Sequence, residues 1–100
     1  MKNEAVEIRN LKRLARRSPI DEALLVIEEL AEYRSPRSVR ALAALMKLAD
    51  GRGDAAMYAL IDIGVDAEEV MLACLESEDD DQAWRAQQVL SAVSGADVAA

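Results

Sequence analysis

Apolar residues recur along this chain at intervals of three and four, the spacing that places side chains on one face of an α-helix. The pattern predicts about six helical segments, each bounded by a start or stop signal. Ser18-Pro19 and Ser35-Pro36 predict helix starts, because an N-cap serine accepts a bond from a free amide and a proline at the first helical position has no amide to leave unpaired. Asp66 is the predicted cap of the fifth helix.

Glycines predict where the helices stop. Gly51-Arg52-Gly53 indicates a break before the fourth helix, Gly64 ends that helix, and Gly95 marks the approximate end of the sixth.

The apolar stripes of alternate helices repeat with a common period of about 31 residues, which is typical of a repeated helix pair. The even-numbered helices carry Ala23, Val26, Ile27 and Leu30, then Ala56, Ala59, Leu60 and Ile63, then Ala86, Val89, Leu90 and Val93. The odd-numbered helices carry Ile8, Leu11, Leu14 and Ala15, then Val39, Leu42, Leu45 and Met46, then Val70, Met71, Cys74 and Leu75. A generic helical bundle explains each stripe but not the shared interval. The sequence therefore predicts one all-α domain over 1–100, with helix pairs over about 4–33, 36–64 and 66–95.

The stretch from Asp54 to Gly64 resembles the outer helix of HEAT-like repeats, in particular the short bacterial type named after phycobilisome lyases. Ala59-Leu60 and Ile63-Gly64 match the family pattern of Ala-Leu, a gap, an aliphatic residue and Gly. The resemblance covers residues 4–95 and implies a short right-handed α–α superhelix of the armadillo type. The arginine that often opens the family's outer helix is replaced by Ile20, Gly53 and Ala83, so the polar ladder that this arginine makes between repeats is not implied.

Composition agrees with an all-α core built from small and aliphatic side chains. The chain is 52% hydrophobic but has only one Trp, two Tyr and no Phe. The single cysteine, Cys74, forms no internal disulfide and favours a reducing compartment. No apolar signal segment follows Met1, and no apolar run reaches the roughly 20 residues of a membrane span. We therefore expect a cytoplasmic protein that makes no membrane contact.

The sequence lacks the residue types and spacings that most catalytic and metal sites need. The chain has no His, the commonest general base and zinc ligand. Cys74 lies on an apolar stripe, where a cysteine acts as a small hydrophobe. Glu28, Glu29 and Glu32 lack the partner histidines of a di-iron site, and the acidic run 76–81 lacks the glycine and closing glutamate of a calcium loop. The sequence predicts no catalytic residue, no cofactor and no metal, and thus not an enzyme.

Charge is distributed unevenly along the chain, whose net charge is −7. Residues 1–53 hold eleven Lys/Arg and eight Asp/Glu, whereas residues 54–100 hold one and eleven. Such asymmetry can steer a charged partner and set its orientation.

In the HEAT-like arrangement the odd-numbered helices line the concave face, and the repeat interval matches charged positions along it. Arg9 corresponds to Arg40 and Glu69, and Arg16 to Lys47 and Glu76. The face is therefore predicted to be basic on two helices and acidic on the third. Leu72 falls near the Glu69–Glu76 side, where a polar residue would be expected. Trp84, on the sixth helix, lies away from the apolar stripe of that helix; it is expected either to contact a partner or to cover the acidic turn or the open end of the stack. The predicted protein-binding residues are Arg9, Arg13, Arg16, Arg40, Lys47, Glu69, Leu72, Glu76, Asp79, Asp80 and Trp84.

Three functional hypotheses follow. The first is a non-catalytic protein-binding module, of the inhibitor or immunity type, that meets a basic partner surface and is a monomer or weak homodimer. The second is anion or nucleic-acid binding through the basic first half, with nucleic acid disfavoured by the acidic second half and the scarcity of stacking aromatics. The third, implied only by the family name, is an accessory subunit of a lyase-type enzyme.

Overall fold

The computed structural model describes residues 3–98, and every regular element in that range is helical. The all-α prediction is therefore confirmed. The elements are α1 (Glu4–Arg17), α2 (Ile20–Tyr33), α3 (Pro36–Leu45), α4 (Gly51–Ile63), a short 3₁₀ helix (Gly64–Ala67), α5 (Glu68–Cys74) and α6 (Asp80–Val98).

Each helix packs on a neighbour in the chain and also on the next helix but one, so that the helices form two rows. Along the chain, α1 packs on α2, α3 on α4, and α5 on α6. Across these pairs, α1 packs on α3 and α3 on α5, while α2 packs on α4 and α4 on α6. We call α1, α3 and α5 the odd layer, and α2, α4 and α6 the even layer.

The core lies between the two layers and is built from the predicted apolar stripes. Leu42 and Met71 of the odd layer are fully buried, and Leu11 is half-buried against the same cluster. Small residues recur where the helices meet, since Ala23 and Ala56 have no exposed surface. Side chains without bulk let helix axes approach closely, which is how a chain with few aromatic residues fills its core. The fully buried large side chains are Ile27, Leu30, Val39, Leu42, Leu45, Met46, Leu60, Met71 and Val89.

Two members of the odd-layer stripes are not buried, so their predicted core positions are wrong. Leu14 is 50% exposed and Leu75 is 41% exposed, whereas Leu45 of the central helix has no exposed surface. The reason is position in the layer. The helices α1 and α5 are the outermost of the odd layer, so each has a neighbour in that layer on one side only.

Of the predicted helix starts, the one at Ser35-Pro36 is confirmed. The Ser35 hydroxyl accepts a hydrogen bond from the Ser38 amide at 3.2 Å, and the Ser35 amide donates to the Ser38 hydroxyl at 3.0 Å. A helix also starts directly after Ser18-Pro19, but the capping role predicted for Ser18 is wrong. The helix α2 begins at Ile20 after an N-cap proline with no side-chain cap, and the Ser18 amide instead ends α1 by donating to the Leu14 carbonyl at 2.8 Å.

The predicted break at Gly51-Arg52-Gly53 is also wrong, because these residues form the first turn of α4. The chain turns earlier, after Leu45, and the Asp50 carboxylate caps α4 by accepting from the Arg52 amide at 3.0 Å.

The predicted end of α4 at Gly64 is confirmed. Gly64 has a φ of 79°, a backbone angle that residues with a side chain rarely adopt. Asp66, by contrast, lies inside the 3₁₀ helix and does not cap α5, which begins at Glu68. The helix α6 continues past Gly95 to Val98.

Candidate functional site

Charge separates between the two layers in the first two hairpins. The helices α1 and α3 carry seven Lys/Arg and two Asp/Glu, whereas α2 and α4 carry seven Asp/Glu and one Arg. Charge counts over residues 1–53 and 54–100 do not show this separation, because consecutive helices belong to different layers and each half of the sequence includes helices of both. The odd layer is thus basic over α1 and α3, and the even layer is acidic over α2 and α4.

A groove between α1 and α3 concentrates this positive charge. Its volume is about 410 Å³. We call it the basic groove; its walls carry Arg9, Lys12, Arg37 and Arg40, and its floor is Ala5, Ile8 and Ala41. A carboxylate of Glu4 lies 4.0 Å from Nη1 of Arg37, at the limit of an ion pair.

The basic groove joins two predicted residues and adds two that the sequence reasoning missed. Arg9 and Arg40 were assigned by their repeat interval, and the groove brings them together. Lys12 and Arg37 were missed, although each lies three positions from a predicted arginine in the same helix. Residues three apart share a helix face, so that spacing was the available signal.

The other residues predicted for this face are exposed but lie outside the basic groove. They belong to α1, to α5, which packs on α3, and to the turns after α3 and α5. The exposed residues are Arg13, Arg16, Lys47, Glu69, Leu72 and Glu76.

The residues predicted around the acidic turn differ in role. Asp79 is half-buried, and its carboxylate accepts from the Gln82 amide at 2.8 Å, so it caps α6. Asp80 is exposed. Trp84 of α6 is 56% exposed, as expected for a tryptophan away from the buried stripe. Asp79 is therefore a structural residue, and only Asp80 and Trp84 of this group are available for contact.

A polar ladder between hairpins is present, although the sequence did not imply it. Nη2 of Arg52, in α4, donates to the Ser18 carbonyl in the turn before α2. Nη1 of Arg85, in α6, donates to the carbonyls of Met46 at 2.7 Å and Leu48 at 2.9 Å in the turn before α4. Each arginine thus ties one hairpin to the preceding turn. The family's arginine corresponds to Gly53 and Ala83 in this chain. Arg52 lies one residue before Gly53 and Arg85 two residues after Ala83, so neither arginine was identified from the sequence.

The ladder also relates α4 to α6. Residues 52 and 85 are 33 positions apart, the same interval that separates Ala23 from Ala56. The apolar stripes suggested 30 positions between α4 and α6. A shift of three residues keeps an apolar stripe on nearly the same helix face, so the pattern alone does not fix the register.

Two titratable side chains have shifted pKa values. The Tyr33 hydroxyl donates to the Glu7 carboxylate at 2.6 Å, and this bond, with burial and nearby carboxylates, raises the Tyr33 pKa to about 12. Burial raises the pKa of the Cys74 thiol, and the charge of Lys47 partly opposes that shift. The thiol is therefore protonated at neutral pH, in which state it is a poor nucleophile.

Within residues 3–98, no cluster of three or more Cys, Asp or Glu side chains has the arrangement to hold a metal ion. No helix in the same range has the length and apolarity to cross a membrane.

Comparison of the chain with known protein families, with curated proteins and with solved structures found no match.

Proposed function

We propose that this chain is a non-catalytic protein-binding module, built as a short right-handed HEAT-like stack of three helix hairpins. The two layers, the interleaved apolar stripes and the Arg52 and Arg85 ladder support this architecture. A cytoplasmic location is part of the proposal and rests on the single free cysteine.

The basic groove is the observation that carries the binding proposal. Four cationic side chains from two helices surround a floor of Ala and Ile, so the groove matches an acidic protein segment with a small apolar side chain. Long cationic side chains commonly cover apolar surface with their stems while their charged ends stay in water.

A labelled acidic peptide of alternating Glu and Ala tests this contact by fluorescence polarisation. Reversal of Lys12 and Arg40 to Glu is expected to weaken binding by about tenfold at low salt, since two attractive contacts become repulsive. The matched control reverses Arg13 and Arg16, which carry the same charge on the odd layer outside the basic groove. Equal loss in both variants would show a general charge effect and would reject the groove as the site.

A narrower proposal concerns the acidic end of the odd layer. Glu69 and Glu76 flank the exposed Leu72 there, which suits an inhibitor or immunity-type protein that covers a basic partner surface. Reversal of Glu69 and Glu76 to Lys is expected to slow association with such a partner at low salt. Asp79 is left unchanged in this experiment because it caps α6.

The second candidate function is anion or nucleic-acid binding in the same basic groove, favoured by its four cationic groups. If all four contact phosphates of duplex DNA, the logarithm of the binding constant falls with the logarithm of salt concentration at a slope of about −3.6. No binding of duplex DNA near roughly 50 mM salt, with retained binding of the acidic peptide, would reject this candidate and keep the first.

A further inference from the structure

The even layer contains a second groove, between α2 and α4, whose chemistry is the opposite of the basic groove. Its volume is about 690 Å³. The floor is apolar, formed by Ile27, Ala31 and Ala59. Glu28 and Glu32 of α2 and Asp62 of α4 line it, together with one cation, Arg34. We call it the acidic groove, because its carboxylates outnumber that cation.

Two large side chains at the acidic groove remain open to solvent. Tyr58 of α4 is 65% exposed and Leu24 of α2 is 38% exposed. An exposed tyrosine beside an apolar floor offers a large contact area at a small cost in conformational entropy.

The carboxylates of the acidic groove are unequally paired. Asp62 accepts from Nη2 of Arg34 at 3.0 Å. Glu28 and Glu32 take part in no ion pair within residues 3–98. They lie one helical turn apart, about 6 Å along α2. The groove therefore presents two adjacent unpaired carboxylates beside an apolar floor.

A complementary surface exists on the outer side of α1. Val6, Asn10 and Leu14 follow one another at intervals of four, and Val6 and Leu14 are exposed although apolar. Arg13 and Arg17 stand beside this stripe, also four residues apart, and take part in no ion pair within the described part of the chain. At 100° per residue these five positions share one face of α1, away from the buried Ile8 and Ala15.

We propose that the acidic groove binds the outer face of α1 of a second copy of this chain. Leu14 of one molecule would lie on the apolar floor, and Arg13 and Arg17 would meet Glu28 and Glu32 of the other. The spacing of the two arginines equals that of the two glutamates, one turn in each case.

The contact joins two different surfaces, so every molecule offers one of each and assembly proceeds head to tail. The acidic groove and the outer face of α1 are separate from the basic groove, so this inference does not depend on the proposed function. The net charge of −7 on each copy opposes the association, so we expect it to be weak.

Sedimentation velocity of the full chain over a concentration series, at low and at high salt, tests the proposal. The weight-average mass is expected to rise with concentration at low salt and to fall towards that of one chain as salt screens the charges. A mass that stays at one chain at every concentration and at both salt levels overturns the proposal.

A charge exchange identifies the two surfaces. Glu28→Lys with Glu32→Lys, and separately Arg13→Glu with Arg17→Glu, are each expected to weaken self-association by about tenfold or more, since like charges then meet. A mixture of the two variants is expected to associate again, because each altered surface finds its complement on the other molecule.

A matched control reverses Glu22 and Glu29, which change the charge of α2 equally but do not line the acidic groove. This variant is expected to associate like the original chain. Equal loss in the control, or a mixture that stays monomeric, rejects the pairing of these surfaces. Circular dichroism of each variant shows that it remains folded.

Discussion

Arg85 of α6 lies directly against Gly53 of α4. A β-carbon at residue 53 would come within 2.6 Å of Nη1 of Arg85 and closer still to the carbonyl oxygen of Leu48. The same Nη1 donates to that carbonyl at 2.9 Å. The lack of a side chain at residue 53 therefore leaves the space through which the Arg85 guanidinium reaches the turn before α4.

Replacement of Gly53 by Ala is expected to lower the free energy of unfolding by about 1–3 kcal/mol, the usual range for overpacking. The Leu48 carbonyl belongs to the backbone and cannot move aside without shifting the turn. Gly51→Ala is the control, because its β-carbon meets only the Ile20 Cδ1 at 3.7 Å, an ordinary contact. Urea unfolding compares the two variants, and equal stability would contradict the close approach at Gly53.

Removal of the Arg85 side chain is expected to destabilise the protein by about 2–4 kcal/mol, because the buried Met46 carbonyl and the half-buried Leu48 carbonyl both lose this donor. The Arg85 side chain is only 8% exposed and also pairs with Asp54 at 3.1 Å. Arg85→Lys is expected to recover part of the loss, since an ammonium lacks the forked donors of a guanidinium.

Arg37→Ala serves as the control for Arg85→Ala, because Arg37 is exposed and its contact with Glu4 spans 4.0 Å. Its free energy of unfolding is expected to change by less than about 0.5 kcal/mol. A similar loss in both variants would mean that the ladder adds nothing beyond an ordinary surface charge.

Replacement of the serine is expected to affect stability differently in the two serine-proline pairs, because only Ser35 caps a helix with its side chain. Ser35→Ala is expected to cost about 1 kcal/mol of stability, because the Ser35 hydroxyl accepts from the Ser38 amide. Ser18→Ala is expected to be nearly neutral, because α2 has no side-chain cap. Thermal unfolding of the two variants side by side measures the difference, and an equal cost would contradict this assignment of caps.

The Tyr33–Glu7 hydrogen bond predicts a dependence of stability on alkaline pH. The folded-state pKa of Tyr33 is raised from 10.0 to about 12, so the protonated phenol is the form that folding favours. Its contribution is complete below pH 10 and is lost as pH rises through 12.

Absorbance titration of the Tyr58→Phe variant, in which Tyr33 is the one remaining tyrosine, measures this pKa directly. Glu7→Gln in that background is expected to lower the pKa, because the acceptor loses its charge. A titration midpoint near 10 in the folded protein would show that the bond does not form.

The helices and several of their ends were predictable because their causes are local. An apolar stripe with a helical period depends only on residues a few positions apart in the sequence. The same is true of the cap at Ser35 and of the positive φ at Gly64. The cap predicted at Ser18 and the break predicted at Gly51 are wrong because other groups take these roles. The Ser18 amide closes α1 on the Leu14 carbonyl, and Asp50 caps α4, so that Gly51 lies in the first turn of that helix.

Of the candidate site, the sequence identified charged residues but did not group them. Arg9 and Arg40 share a groove with Lys12 and Arg37 because α1 lies beside α3, a neighbour separated by a whole intervening helix. Glu28 and Tyr58 likewise line one groove only because α2 lies beside α4.

By itself, the sequence determined the helical class, the two alternating stripes and the residues that start or end several helices, because backbone propensity and amphipathic spacing act over a few residues. Only the tertiary structure decided which stripe members are buried, which arginines tie the hairpins together and how charge divides between the layers. These depend on which helices become neighbours. Leu14 shows the difference: its spacing is that of a core residue, but α1 is the outermost helix of its layer and nothing in residues 3–98 covers that side chain fully.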